Sequence, residues 1–126
     1  MSVIVDTSVW IDYFRSGNNS AKLDLLIDEE LIVVNDLILA ELVPSLKIRN
    51  RKMIIELLLT IKRLDLNFNW DEIIEFQLKC LKSGLNGIGI PDLIVAQNAK
   101  QNQCEIYSLD NHFRIMKDIL DFQMLD

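Results

Sequence analysis

Apolar residues along this chain keep two rhythms, short unbroken runs and three-to-four-residue spacing, with polar breaks between them. Val3-Ile4-Val5 is a continuous apolar run that stops at Asp6, the pattern of a strand buried in a parallel sheet. Thr7 or Ser8 is placed to cap a helix that carries Val9, Trp10, Ile11 and Phe14. Ser16 to Ser20 reads as a loop, and Leu23, Leu26 and Ile27 return at helical spacing. Leu31 to Val34 predicts a second strand, with Asn35 or Asp36 as the next cap. A helix follows over Leu37 to Leu46, which Pro44 is expected to kink or end. Residues 51–63 hold Ile54, Ile55, Leu58, Leu59 and Ile61 on an amphipathic helix, and Leu64-Asp65-Leu66 suits a short strand.

The second half repeats the alternation. Asn69 or Asp71 starts a helix that runs to about Lys82, and Gly84, Gly87 and Gly89 mark a loop expected to let the chain approach the next helix tightly. Pro91 suits the first turn of that helix, which runs to about Gln101. Glu105 to Leu109 is a strand, Asp110 to Lys117 a short helix, and Phe122 to Leu125 a final edge strand. Strands alternating with helices predict an α/β fold with a mainly parallel sheet.

Length narrows this to one domain over residues 1–126, with an expected radius of gyration of about 14 Å. Half the residues are hydrophobic and a quarter charged, which excludes a disordered or collagen-like chain. Apolar runs stop at about four residues, far short of the roughly 20 that a membrane helix needs. The N-terminus lacks the pattern of a secretory signal, so a cytoplasmic protein is expected. Cys80 and Cys104 have neither a Cys-x-x-Cys partner nor a nearby histidine, and are read as buried free thiols. The glycine loop lacks the Gly-Lys-Ser/Thr of a phosphate-binding loop, so nucleotide binding is not expected.

The candidate chemistry lies in four acids. Ligand sites of open α/β sheets form beyond the carboxyl ends of the strands. Asp6 and Asp110 follow the first strand and the Tyr107-Ser108-Leu109 run. Glu41 and Asp92 lie in otherwise apolar helical segments, where a carboxylate is costly unless compensated. Each has an ordinary role open to it: helix caps for Asp6 and Asp110, a solvated rim for Glu41, a favourable helix-start charge for Asp92. Should they converge, each pair about 5 Å apart repels by roughly 3 kcal/mol at an effective dielectric near 20. Protons or cations must then relieve the cluster, and oxygen-only ligands favour Mg²⁺ or Mn²⁺ over zinc.

The segments Val5 to Asp12, Leu39-Ala40-Glu41-Leu42, Ile90 to Ala96 and Ser108 to Phe113 resemble, in order and spacing, the four acidic motifs of the PIN-domain family, in particular its VapC-type toxins. The similarity spans essentially the whole chain. It implies a three-layer α/β/α sandwich and an Mg²⁺- or Mn²⁺-dependent endoribonuclease, the toxin of a toxin–antitoxin pair. It assigns the metal site to Asp6, Glu41, Asp92 and Asp110, with Asp6 and Asp92 most directly on the ion. It gives Ser8 and Ser108 supporting roles, orienting a carboxylate or water; a helix cap and a strand-end hydroxyl are their ordinary alternatives. The expected reaction is in-line hydrolysis by activated water, leaving a 5′-phosphate and a 3′-hydroxyl, with no need of His112. A cognate VapB-type antitoxin and a homodimer are the implied partners, beside the RNA substrate. One departure stands in the last motif, where Leu109 occupies a position that Arg or Lys commonly fills.

A net charge of −6 argues against a nucleic-acid binder. The four acids account for four of those charges, and bound divalent ions reverse the local field. Lys47, Arg49, Arg51 and Lys52 form a basic run suited to RNA phosphates, or simply a solvated helix end. Trp10, Phe14, Leu42, Leu46 and the 51–63 helix carry more apolar surface than so small a core needs, suggesting a dimer face or an antitoxin groove. Two enzyme alternatives fail on composition. An aspartyl-nucleophile phosphatase needs a second Asp where Ser8 stands, and a receiver domain needs an acid pair and a lysine that are not evident. A PIN-like binding module without nuclease activity remains the other reading.

Overall fold

The computed structural model describes residues 1–125, leaving Asp126, the last residue of the expected domain, outside the description. In chain order the elements are β1 (Val3–Val5), α1 (Thr7–Phe14), α2 (Ser20–Asp28), β2 (Ile32–Asn35), α3 (Asp36–Ile48), α4 (Lys52–Thr60), β3 (Lys62–Leu64), α5 (Trp70–Lys82), α6 (Ile90–Asn102), β4 (Glu105–Tyr107), α7 (Asn111–Leu120) and β5 (Gln123–Met124). The strands form one sheet in the order β3-β2-β1-β4-β5, and every neighbouring pair is parallel.

This order explains the layers. From β1 the chain steps to β2 and then β3 in one direction, and later from β3 to β4 and β5 in the other. Right-handed crossovers put connections of opposite direction on opposite faces. Helices α1 to α4 therefore pack with one another on one side, and α5 to α7 on the other. The result is the three-layer α/β/α sandwich. The sheet is wholly rather than mainly parallel. Its central strand β1 is buried along its full length, whereas β3 at the edge exposes Lys62 and Arg63, charges that blunt an open edge.

Several local expectations shift. The helix begun at Asp36 runs through Pro44 to Ile48 instead of ending there. Proline forfeits one backbone bond, but Leu39 and Leu42 before it and Leu46 after it are all buried and hold both halves to the core. The third strand is Lys62–Leu64, not 64–66, because pairing with Val33 to Asn35 fixes its register. The cap position before α1 belongs to Asp6, not to Thr7 or Ser8. Gly84 and Gly87 are needed for positive φ, both at 80°. Nothing stands within 4 Å of a Cβ built on either, so backbone conformation and not tight approach explains them. Cys80 and Cys104 are buried free thiols, as expected.

Candidate functional site

The strand order reverses between β1 and β4, and at such a point open α/β sheets bind ligands in the crevice beyond the carboxyl ends of their strands. Asp6 directly follows β1 and is 8% exposed. Its backbone N–H continues the sheet by donating to the Tyr107 carbonyl at 2.9 Å. Although it holds the cap position of α1, its side chain makes no capping bond. Instead Oδ2 accepts the Ser8 hydroxyl at 2.8 Å and the Ser108 hydroxyl at 2.9 Å. Those two hydroxyl oxygens lie 3.4 Å apart. The Ser8 oxygen accepts the Leu109 N–H at 3.1 Å, and the Ser108 oxygen accepts the Asp110 N–H at 3.0 Å. Both hydroxyls thus have a backbone donor behind them and turn their protons to Asp6. Hydrogen bonds to an ionised acceptor are the strong kind, and this pair fixes the carboxylate while knitting β1 to β4.

Asp110 performs the ordinary role as well. At the cap of α7 its Oδ1 accepts the His112 N–H at 2.9 Å, with His112 Nδ1 3.6 Å from the same oxygen. Asp92 is the third residue of α6, its N–H bonded to the Gly89 carbonyl. Burial, then the charges of Asp6 and Asp110, push its carboxyl above the usual range, while His112 opposes them. Glu41 rises from α3 on the rim. Partial burial leads its upward shift, followed by the charges of Asp6 and Asp92. As a residue Glu41 is exposed, so solvent screens that shift and it carries little stability. Asp6, Glu41 and Asp92 therefore feel one another, and Asp110 joins through Asp92. Asp6 after β1, Glu41 on α3, Asp92 on α6 and Asp110 before α7 are thus linked electrostatically, pair by pair.

Among the described residues no three His, Cys, Asp or Glu side chains stand as a ready-made metal cage. The donor set still fits a hard cation. Mg²⁺ uses one or two carboxylates and keeps several waters, so it does not need all four acids to close on it.

The basic run divides. Arg49 and Arg51 line a cleft of about 140 Å³ that has Glu41 in its wall, with Ile11, Phe14, Leu42 and Leu46 among its apolar lining. Arg15, which follows α1, joins them there, a residue that no sequence pattern singles out. Lys47 and Lys52 lie instead on a separate concavity with Ile55 and Glu56. Of the apolar surplus, Trp10, Leu42, Leu46 and Leu58 are core.

Sequence reasoning also missed a buried amide chain. Asn35 caps α3 by accepting the Ile38 N–H at 2.9 Å, and its Nδ2 donates to Asn98 Oδ1 at 3.0 Å. Asn98 Nδ2 in turn donates to the Asp65 carbonyl at 3.0 Å. The helix carrying Glu41 is thereby tied to the helix carrying Asp92. Gln97 and Asn98 beside the apolar Leu93 to Ala96 run were the available signal, since amides buried in such a helix need partners.

No curated protein sequence matches this chain. Solved structures do match in fold. The VapBC2 complex of Rickettsia felis bound to a promoter DNA fragment aligns with a TM-score of 0.77 at 19% identity, over 99% of this chain and 98% of that one. DNA-bound VapBC of Salmonella typhimurium aligns at 0.75 and 15% identity, over 100% and 98%. VapBC-1 of nontypeable Haemophilus influenzae aligns at 0.69 and 21% identity, over 100% and 98%. The PIN domain family pattern matches residues 3–119, bringing all four acids within its span, and the chain belongs to the PIN-domain family.

Proposed function

We propose that this PIN-domain protein is a metal-dependent endoribonuclease, the VapC-type toxin of a pair with a VapB-type antitoxin. The observation that carries the reading is the Asp6 carboxylate, held by Ser8 and Ser108 and making no capping bond, with its charge acting on Glu41 and Asp92 and that of Asp110 on Asp92. The similar structures named above are VapBC complexes, which favours a partner of that type.

Asp6 and Asp92 would hold Mg²⁺ or Mn²⁺ most directly, with Glu41 and Asp110 completing the shell through water. Such an ion supplies a more acidic water and offsets charge on the phosphate in flight. Ser8 and Ser108 keep the Asp6 carboxylate aimed into the crevice. Arg49 and Arg51 offer phosphate contacts on the Glu41 side, in a salt-sensitive and sequence-blind way. RNA entering beside them places its backbone along the acids, and hydrolysis leaves a 5′-phosphate and a 3′-hydroxyl. No helix among the described residues is long and apolar enough to cross a membrane, consistent with action in the cytoplasm. A homodimer completes the expected assembly.

The test is cleavage of RNA by the purified chain. Cutting is expected with Mg²⁺ or Mn²⁺ and none with EDTA. Expression of the parent alone should arrest growth, and expression of Asp6→Asn should not. An Asp6→Asn or Asp92→Asn variant that cuts as fast as the parent overturns the mechanism. RNA bound but uncut by the parent with either metal makes the protein a binding module.

A further inference from the structure

We infer that the buried amide pair Asn35–Asn98 is a positioning device for the acidic site: it sets the gap between α3 and α6, and with it the spacing of Glu41 and Asp92. The inference rests on the reading of those acids as metal ligands. Asn35 is fully buried and Asn98 is 2% exposed. Every polar atom of the two side chains is bonded. Asn35 Oδ1 accepts the Ile38 N–H, Asn35 Nδ2 donates to Asn98 Oδ1, and Asn98 Nδ2 donates to the Asp65 carbonyl. Asn98 sits among Leu93 to Ala96 and Ala99, all buried. An apolar side chain there would avoid the cost of burying an amide. Apolar contact is non-directional, however, whereas a satisfied buried network holds one arrangement.

What the pair holds is specific. Asn35 ends β2 and caps α3, and Glu41 lies six residues further along the chain. Asp65 directly follows β3, whose Leu64 pairs with Asn35. Asn98 therefore clamps α6 to the carboxyl ends of β2 and β3 at once. Asp92 precedes Asn98 by six residues, about 9 Å along the same helix. Glu41 and Asp92 thus stand equally far in sequence from the two ends of one 3.0 Å hydrogen bond. The charge of Asp92 acts on Glu41, so a change in that gap is felt by both carboxylates.

The neighbouring amide supplies the contrast. Gln97, also 2% exposed, turns to the start of α5. Its Nε2 donates to the Asn69 carbonyl at 3.0 Å and to Glu72 Oε1 at 2.8 Å, and its Oε1 accepts the Asn69 N–H at 3.3 Å. Gln97 anchors the same stretch of α6, but to a helix that carries none of the four acids. Its loss should lower stability without moving Asp92 relative to Glu41.

The probe is Mn²⁺ alone, titrated onto the full chain and followed by electron paramagnetic resonance, beside melting curves in EDTA. Asn98→Ala should weaken Mn²⁺ binding about 10-fold, the scale for groups that orient metal ligands. Asn35→Ser keeps a good capping oxygen but loses the amide that reaches Asn98, and should show the same loss. The double change should lose no more than either single one, because both remove one link. Gln97→Ala should melt earlier than the parent in EDTA yet bind Mn²⁺ as the parent does. Parent-like Mn²⁺ affinity in Asn98→Ala or Asn35→Ser overturns the inference and leaves the metal site standing. A Gln97→Ala loss as large as theirs does the same, since any loosening of α6 would then suffice. If Asn98→Ala does not fold, Asn35→Ser decides. A parent that binds no Mn²⁺ overturns the metal reading, and this inference with it.

Discussion

The β1–α1 and β4–α7 junctions are built alike and behave differently. Each leads from a three-residue strand to an aspartate with extended backbone at the cap of a helix. Asp110 caps, accepting the His112 N–H. Asp6 does not cap, although a capping bond is typically worth about 1 kcal/mol. Its carboxylate is held by Ser8 from its own helix and by Ser108 from the other junction. A residue that forgoes its local stabilising role while others hold it in place is the signature of a site. The contrast separates an acid committed to the crevice from one that serves both crevice and fold.

The largest effect should therefore fall on Asp6. Asp6→Asn is expected to lower RNA cleavage at least ~10³-fold, since it removes charge from the most enclosed acid of the cluster. Asp110→Asn keeps a good capping side chain, so its loss should be smaller, about 10- to 100-fold, with thermal stability unchanged. Single-turnover cleavage beside melting curves checks both. Equal losses would erase the distinction between the junctions.

Next come the hydroxyls. Ser108→Ala deprives Asp6 of one donor and the Asp110 N–H of its acceptor. Ser8→Ala does the same for Asp6 and the Leu109 N–H. Groups that orient metal-ligating side chains typically change metal affinity 10- to 100-fold. Mn²⁺ titration followed by electron paramagnetic resonance should show a loss of that size for either variant, larger than that for Asp110→Asn. Unchanged Mn²⁺ affinity would reduce both serines to structural hydroxyls.

The comparison also shows what a sequence exposes. Val3-Ile4-Val5 ending in Asp6 was readable because a buried strand needs an unbroken apolar run, and the Asn35 cap because its partner lies three residues away. The third strand was misplaced by two residues because Lys62 and Arg63 carry an edge strand's polarity, and register depends on partners far away in sequence. Glu41 and Asp92 stood out as acids in apolar helices. The resemblance points to Ser8 and Ser108 as groups that orient a carboxylate, but that both hold Asp6 and keep it from its cap depends on packing, since Ser8 lies two residues away and Ser108 lies 102 away. The same holds for Asn35 and Asn98, 63 residues apart, and for Arg15, which only packing brings to the cleft with Arg49 and Arg51.

A smaller effect tests the cap. Asp110→Ala should cost about 1 kcal/mol of stability, whereas Asp110→Asn costs nearly none. At the other junction Asp6→Ala should cost no capping energy, as there is none to lose. Chemical denaturation of the three variants without metal measures the difference directly.

The smallest shift concerns Asp92, and its sign is the informative part. Burial and the charges of Asp6 and Asp110 raise its pKa in the folded chain. A carboxyl of raised pKa favours the folded state fully below its unfolded value, where it is protonated. That gain is lost as pH climbs through the folded value. At neutral pH without metal the ionised Asp92 is therefore a burden on the fold, partly relieved by its place in the first turn of α6. Asp92→Asn should raise the melting temperature in EDTA, by a small amount because solvent screens the repulsion at a half-buried carboxyl. The difference should vanish in acid, where the parent is protonated as well. Saturating Mg²⁺ should narrow or invert it at neutral pH, because the ion stabilises the parent in proportion to its binding and the variant binds it less well. A variant less stable than the parent in EDTA at neutral pH would mean that Asp92, like Asp110, serves its helix more than the crevice.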